Sequence, residues 1–194
     1  MRLILLFIVF LFFSCRGEKR YEDFNLTEYQ REVNNYFKDA SVSPLKAKDL
    51  KNFKGLDFFE FDSSYVVYAK IYKTPNSLPF KMKTTTNMPA DFRIYGKLIF
   101  NLNDEQHSLT VYENLDYVGV DGYENYLFLP FLDQTNGYET YGGGRYIDLY
   151  QYDSDSILIN FNRAYNPKCV YDENFSCPIV PRDNLLNLRV EAGV

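Results

Sequence analysis

The clearest structural signal in this chain of 194 residues is FRIYGKLIFNLNDEQHSLTVY, residues 92–112. Ile94, Leu98 and Phe100 recur at even positions, and residues 108–112 resume an apolar pattern of period two, which is typical of half-buried strands. Asn103-Asp104 lies between the two segments and favours a tight turn. The stretch therefore predicts an antiparallel hairpin.

Further strand signals continue on both sides of this hairpin. In RYIDLYQY, Tyr146, Asp148 and Tyr150 fall on one face, and Ile147 and Leu149 fall on the other. Strands and helices do not alternate in the order of a parallel nucleotide-binding sheet. We expect a mainly β fold, an antiparallel β-barrel or sandwich of about eight strands with an N-terminal helical segment. The other predicted strands are residues 65–72, 80–86, 126–131, 156–161 and 185–190.

The N-terminal helical segment begins near residues 25–28, which offer an N-cap. Tyr29, Val33 and Phe37 follow at helical spacing. Ser43-Pro44 ends this helix, and residues 45–53 form a second short one. We expect both helices to cap the sheet.

The first residues carry a signal of a different kind. Arg2 precedes eleven apolar residues, 3–13, a run too short to span a membrane but typical of a signal peptide. Ser14-Cys15 at its end resembles a bacterial lipobox. The predicted organisation is a lipoprotein signal peptide over 1–14, a tether over 15–24 and a single β-rich domain over 25–194. A buried apolar strand or helix, or an uncleaved anchor, is the alternative.

This organisation predicts a cellular location and a membrane as partner. Lipid on Cys15 would anchor the domain to a bacterial membrane in the cell envelope, with the outer membrane or the periplasmic face favoured. The chain has 21 Lys and Arg against 26 Asp and Glu. We therefore expect no nucleic-acid partner, because such a protein needs a basic surface.

Cysteine and histidine are too few for most metal sites. If Cys15 carries lipid, Cys169 and Cys177 remain, and in an oxidising compartment a disulfide is the default prediction. Free thiols or a metal site are the alternatives. His107 is the only histidine, so we predict no metal and no cofactor.

Two longer stretches carry a family resemblance. They are LFLPFLDQTNGYETYGGGRYIDL, residues 127–149, and FNRAYNPKCVYDENFSCPIVP, residues 161–181. Together with weaker signatures upstream they resemble the bacterial and archaeal family catalogued as domain of unknown function 1684, over about residues 30–193. The resemblance implies a compact single domain, often secreted or lipid-anchored, and it implies no activity or catalytic residue.

The same stretches contain the candidate site. Arg145 and Arg163 can hold a carboxylate or phosphate, or they can form internal bridges with carboxylates such as Asp133, Glu139 and Asp148. Gly142-Gly143-Gly144 precedes a strand, which favours a tight turn over a phosphate cradle. The other candidate ligand-binding residues are Tyr141, Asn162 and Tyr165.

Three functions remain compatible with the residues. The first is an envelope binding or accessory module for a small polar or anionic ligand near Arg145, Arg163 and Tyr141. The second is a hydrolase that uses the carboxylates of Asp133 and Glu139. The third is a structural envelope protein that binds another protein through an exposed tyrosine surface. We favour the first, and whether the protein is an enzyme stays open.

Overall fold

A computed structural model describes residues 27–151 and 154–194. The predicted signal peptide, Cys15 and the predicted tether lie outside these described residues. Within the described part of the chain, no helix is both long enough and apolar enough to span a membrane.

In the described residues, seven strands and two α-helices make up the regular structure, together with short 3-10 turns. The first helix begins with the predicted local signal, since Thr27 accepts from the Gln30 backbone and the Gln30 side chain accepts from Thr27. The second helix is shorter than the 45–53 segment predicted. The elements in chain order are α1 (Glu28–Lys38), α2 (Ala47–Leu50), β1 (Val66–Lys73), β2 (Phe80–Met82), β3 (Ala90–Leu102), β4 (Glu105–Asn114), β5 (Tyr126–Phe131), β6 (Arg145–Tyr150) and β7 (Ser156–Asn160).

The strands form one antiparallel sheet that curls into a half-barrel. Its order is β6-β5-β4-β3-β1-β7, and β2 pairs with β3 beside this path. All of these strand pairs are antiparallel. The mainly β, antiparallel prediction is confirmed.

One predicted strand, residues 185–190, is not a regular strand. It runs beside residues 132–134, where the backbone of Leu186 donates to Leu132 and that of Gln134 donates to Leu188. The Val190 backbone N–H donates to the Asp133 carboxylate at 2.7 Å. Because a side chain takes this amide, the segment cannot extend a regular strand ladder, and the sheet has seven strands instead of about eight.

The hairpin predicted from residues 92–112 joins β3 and β4. Asn103 and Asp104 have φ values of 52° and 62°, which match a two-residue turn of type I′. A register shift follows Ile94. At Gly96 an added Cβ would lie 2.7 Å from the Tyr72 carbonyl oxygen, so a side chain would push β1 and β3 apart.

Alternation along β6 separates the core from the candidate site. Ile147 and Leu149 enter the main core, which one face of the sheet shares with the C-terminal segment. Tyr146 belongs to a second cluster on the opposite face, with Phe92 and Phe128. Asp148 and Tyr150 follow on that second face and are solvent-accessible.

Candidate functional site

Asp133 and Arg145 are an internal ion pair. Neither side chain is exposed, and Arg145 Nη2 lies 3.3 Å from Asp133 Oδ1. The guanidinium also donates to the carbonyls of Val190 and Ala192. Of the two arrangements that the sequence left open, Arg145 therefore adopts the internal bridge, which fastens the C-terminal segment to the start of β6.

Glu139 and Tyr141 lie elsewhere, on the protein surface. The Glu139 carboxylate accepts from Arg189 at 2.7 Å, with both side chains about two-fifths exposed. Tyr141 covers Gly143, where an added Cβ would lie 2.4 Å from its ring. The glycine triplet leads directly into β6 as a turn. Asp133, Glu139 and Arg163 are not brought together in one cavity.

Asn162 and Arg163 lie on the short helical turn Phe161–Arg163 that follows β7. Asn162 is buried, donates to the Asp62 carbonyl at 2.8 Å and accepts from its amide at 3.0 Å. This exchange fixes the loop before β1. The Arg163 guanidinium lies 4.8 Å from the centre of the Tyr29 ring.

Tyr165 joins a polar group that the sequence did not single out as a site. Its hydroxyl donates to Asp148 Oδ1 at 2.7 Å, and the Tyr126 hydroxyl donates to the same oxygen at 2.8 Å. The register explains this convergence, because Phe128 lies opposite Asp148 and Tyr126 lies diagonally across β5. Tyr165 forms an isolated antiparallel bridge with Tyr146, which brings it beside β6. An aspartate between tyrosines on one strand face was the signal that could have found it.

The surroundings of Asp148 change its acid–base properties. Desolvation by the surrounding protein raises the pKa of Asp148, and the hydroxyls of Tyr165 and Tyr126 oppose this effect. Desolvation likewise raises the pKa values of Tyr126 and Tyr165. Both phenols therefore stay protonated at neutral pH and act as donors to the carboxylate.

Three adjoining clefts surround this group. The tyrosine cleft, about 620 Å³, is lined by Asp148 and by Tyr29, Tyr126, Tyr150 and Tyr165 among others. The arginine cleft, about 460 Å³, contains Arg163 and shares Tyr29 and Asp148 with it. The cysteine cleft, about 430 Å³, contains Cys177 and shares Tyr126, Tyr165 and Lys168 with the tyrosine cleft. Asp148 thus lines both the cleft that contains Arg163 and the cleft that contains Lys168.

Tyrosine rings form one wall of the tyrosine cleft. Tyr117 and Tyr123 stack with centroids 4.2 Å apart. Tyr126 meets both of them, and Tyr150, edge to face at 5.6–5.8 Å. Such pairs hold each other in fixed orientations. The wall therefore presents a preformed aromatic surface.

Two cations at these clefts rest on aromatic rings. Lys168 Nζ lies 5.7 Å from the Tyr36 ring centre and 5.8 Å from that of Phe175. In residues 27–151 and 154–194, neither Lys168 nor Arg163 has a carboxylate within ion-pair distance. Burial raises the pKa of Tyr29 to about 12, and Arg163 opposes that rise. Arg163 lines the arginine cleft and Lys168 lines the tyrosine cleft.

Cys169 and Cys177 are free thiols, and Cys177 lies at the wall of the cysteine cleft. The Cys169 backbone N–H donates to Cys177 Sγ at 3.1 Å, and burial raises the pKa of Cys177 to about 12. The predicted disulfide is not formed in this structure, although the loop brings the two residues side by side. Among the described residues, no group of three or more His, Cys, Asp or Glu side chains could hold a metal ion.

Comparison with known proteins identifies the family of this chain. The family model described as "Protein of unknown function (DUF1684)" matches residues 51–194. The chain belongs to this family. The match to DUF1684 includes Tyr126, Asp148, Arg163, Tyr165 and Lys168, whereas Tyr29 on α1 lies before it.

A solved structure is similar to this DUF1684 chain. It is the solution NMR structure of an uncharacterised protein of Haloarcula marismortui, with 31% sequence identity and a TM-score of 0.66. The match covers 84% of this chain and 88% of the archaeal one. No curated protein matches the chain. The similarity supports the half-barrel fold and brings no activity with it.

Proposed function

We propose that the domain is a binding module that holds a small polar ligand with an anionic group in the tyrosine cleft and the clefts beside it. Arg163 and Lys168 bind the anionic group, and the tyrosine wall contacts the rest of the ligand. The observation that carries the proposal is that Arg163 and Lys168 line clefts that meet at Asp148, and that neither has a carboxylate within ion-pair distance in the described part of the chain.

Lys70 and Lys73 also rest on rings without an ion pair, but Arg163 and Lys168 are the cations that line these clefts. Five other cations of the described residues are in ion pairs. Arg145 pairs with Asp133, Arg189 with Glu139, and Lys81 with Asp91. These cations are neutralised by the fold. Arg163 and Lys168 rest on rings instead, which holds their side chains in place while their N–H donors stay available. This is the arrangement that an anion-binding cleft needs.

Isothermal titration of the full chain tests this proposal. The probes are inorganic phosphate, butyrate and glucuronate, and the variants are Arg163→Gln and Lys168→Gln. We expect at least one probe to bind and each variant to weaken it about tenfold, because each removes a charge-assisted hydrogen bond. Arg189→Gln, a matched loss of a surface charge, should leave binding unchanged. Equal affinities in all four proteins would contradict the proposal.

The two alternative functions have less support. A hydrolase that uses Asp133 and Glu139 needs free carboxylates, and both carboxylates form ion pairs with arginines. A structural protein that binds only through a tyrosine surface does not need clefts of this size. Neither alternative is favoured by a specific observation.

We also propose that the domain is anchored in a bacterial cell envelope through lipid on Cys15, after removal of residues 1–14. The support is the apolar run that ends at Ser14-Cys15. Two or three acyl chains anchor a protein stably, whereas one does not. Metabolic labelling with palmitate should mark the full chain and should be lost in Cys15→Ala, whereas Cys177→Ala keeps the label. Labelling that persists without Cys15 would contradict this.

In that compartment we propose that Cys169 and Cys177 become a disulfide. Together the two thiols lose two protons and two electrons to the disulfide of an envelope oxidoreductase, which is reduced to a dithiol. The loop is short, so the chain-entropy gain is about 2.5 kcal/mol. Alkylation of the envelope fraction should label both cysteines only after reduction. Full labelling before reduction would contradict the disulfide.

A further inference from the structure

The hydrogen bonds around Asp148, at the centre of the tyrosine cleft, determine which ligand groups can bind there. Tyr126 and Tyr165 each have one hydroxyl proton, and both protons go to Asp148 Oδ1. Their oxygens therefore remain as acceptors. Asp148 Oδ2 has no hydrogen-bond donor in the described part of the chain. The centre offers acceptors from three side chains and needs a donor from the ligand.

The same centre lacks a positive charge in direct contact. In the described ranges, no lysine or arginine nitrogen is within ion-pair distance of the Asp148 carboxylate. Lys168 acts on it only at longer range, from its position over the rings of Tyr36 and Phe175. The Asp148 carboxylate is partly desolvated yet reachable from solvent, and it has no cationic partner among the described residues. A ligand cation would supply that partner.

The rings around the carboxylate suit a cationic nitrogen as well. Tyr126 stands edge to face against Tyr117, Tyr123 and Tyr150, so ring faces point in several directions along the same wall. Aromatic faces attract cations through their quadrupoles, most strongly where water is partly excluded. The Asp148 carboxylate and the tyrosine rings around it thus favour the same group of a ligand, an ammonium.

An anionic group cannot occupy this centre, because it would face the Asp148 carboxylate and two hydroxyl oxygens. It must lie toward Arg163 in the arginine cleft or toward Lys168. A ligand that satisfies both parts of the site carries opposite charges on separate groups. This is the charge distribution of an amino acid.

From this arrangement we infer that the ligand is a zwitterion, whose ammonium group binds Asp148 between Tyr126 and Tyr165 and whose carboxylate binds Arg163 or Lys168. The inference rests on the proposed function for its anionic half. Its cationic half depends on Asp148 and the rings beside it, and not on Arg163 or Lys168, which allows the two halves to be tested separately.

Calorimetric titration of the full chain with matched probes tests whether the ligand is a zwitterion. The zwitterions are β-alanine, γ-aminobutyrate and ε-aminocaproate, which cover a range of charge separations. Each is compared with the fatty acid, the ω-hydroxy acid and the alkylamine of the same length. The variants are Asp148→Asn, which keeps an acceptor for both tyrosines, and Asp121→Asn, a matched loss of an exposed carboxylate.

We expect a zwitterion of at least one length to bind about tenfold tighter than its hydroxy acid, the gain expected for one charge-assisted bond. Asp148→Asn should abolish this preference, and Asp121→Asn should keep it. Equal binding of zwitterion and hydroxy acid, with a dependence on Arg163 or Lys168, would overturn the inference and leave the proposed function standing.

The remaining outcomes are also decisive. If alkylamines bind through Asp148 and no carboxylate adds affinity, the cationic half stands and the anionic half of the proposed function is wrong. If none of the probes binds, both are overturned. A preference for the amine that survives in Asp148→Asn would place the ammonium elsewhere and contradict the inference.

Discussion

The Tyr165 hydroxyl donates to Asp148 Oδ1 at 2.7 Å, although the two residues come from separate segments. Tyr126 makes the same contact from a third segment. A partly desolvated carboxylate that lines a cleft and is held by neutral donors is a candidate binding group. The contrast within the molecule is Asp133, whose carboxylate is paired with Arg145.

The pKa of Asp148 predicts how its substitution affects stability. Because the folded-state pKa is raised, the fold binds the proton more tightly than the unfolded chain does. This group therefore lowers the free energy of unfolding as pH rises from its unfolded pKa through its folded pKa. Asp148→Asn removes that penalty while keeping an acceptor for both hydroxyls.

Thermal unfolding from acid to neutral pH measures the effect. We expect Asp148→Asn to be at least as stable as the natural chain at neutral pH and to lose any advantage below the unfolded pKa of aspartate. The hydroxyls of Tyr126 and Tyr165 also face this group, and their raised pKa values keep both phenols neutral over that range. A variant that is clearly less stable at neutral pH would indicate a structural role for Asp148.

Removal of one tyrosine hydroxyl should shift the titration of the carboxylate. Tyr165→Phe deletes a donor to the charged form, so the pKa of Asp148 should rise further. NMR titration of the aspartate side-chain carbonyl carbons measures this directly. Tyr138→Phe, at a tyrosine 86% exposed, is the control. An unchanged Asp148 titration in Tyr165→Phe would contradict the hydrogen bond.

The buried ion pair predicts a large loss of stability. Arg145→Met leaves the Asp133 carboxylate without its cation, and breaking a buried pair in this way costs about 3–5 kcal/mol. Arg189→Met removes a surface pair and should cost at most about 1 kcal/mol. Urea unfolding of both variants compares the two. Equal costs would show that Arg145 is not essential to the fold.

The close approach at Gly96 gives a fourth prediction. Gly96→Ala places a Cβ against the Tyr72 carbonyl and should destabilise the protein by about 1–3 kcal/mol, the usual cost of overpacking. Gly142→Ala is the control, because its nearest neighbour would be 3.6 Å away. Chemical denaturation of the two variants checks this. A Gly96→Ala protein as stable as Gly142→Ala would contradict the packing between β1 and β3.

Local patterns predicted most of the fold. The Asn103-Asp104 turn and the alternation along β6 depend on neighbours in sequence, and both are confirmed. Residues 185–190 could not be placed in the same way. Their apolar pattern fits a strand, but the Asp133 carboxylate takes the amide of Val190, a contact between distant residues.

The candidate site was harder to predict for the same reason. Arg145 and Asp133 were singled out as a pair, yet nothing in the sequence chose between an internal bridge and a ligand site. Tyr126, Asp148 and Tyr165 converge only because the β5–β6 register and the bridge at Tyr146 bring them together. Single-residue signals identified Arg163 and Tyr165 but not their common centre.

The central claim is that ligand binding takes place around Asp148. Amide NMR shift mapping, with the full chain titrated with γ-aminobutyrate and glucuronate, tests it most directly. We expect the largest amide chemical-shift changes at Tyr126, Asp148, Arg163, Tyr165 and Lys168. Shifts centred instead on Glu139 and Tyr141, or no shifts with either probe, would contradict it.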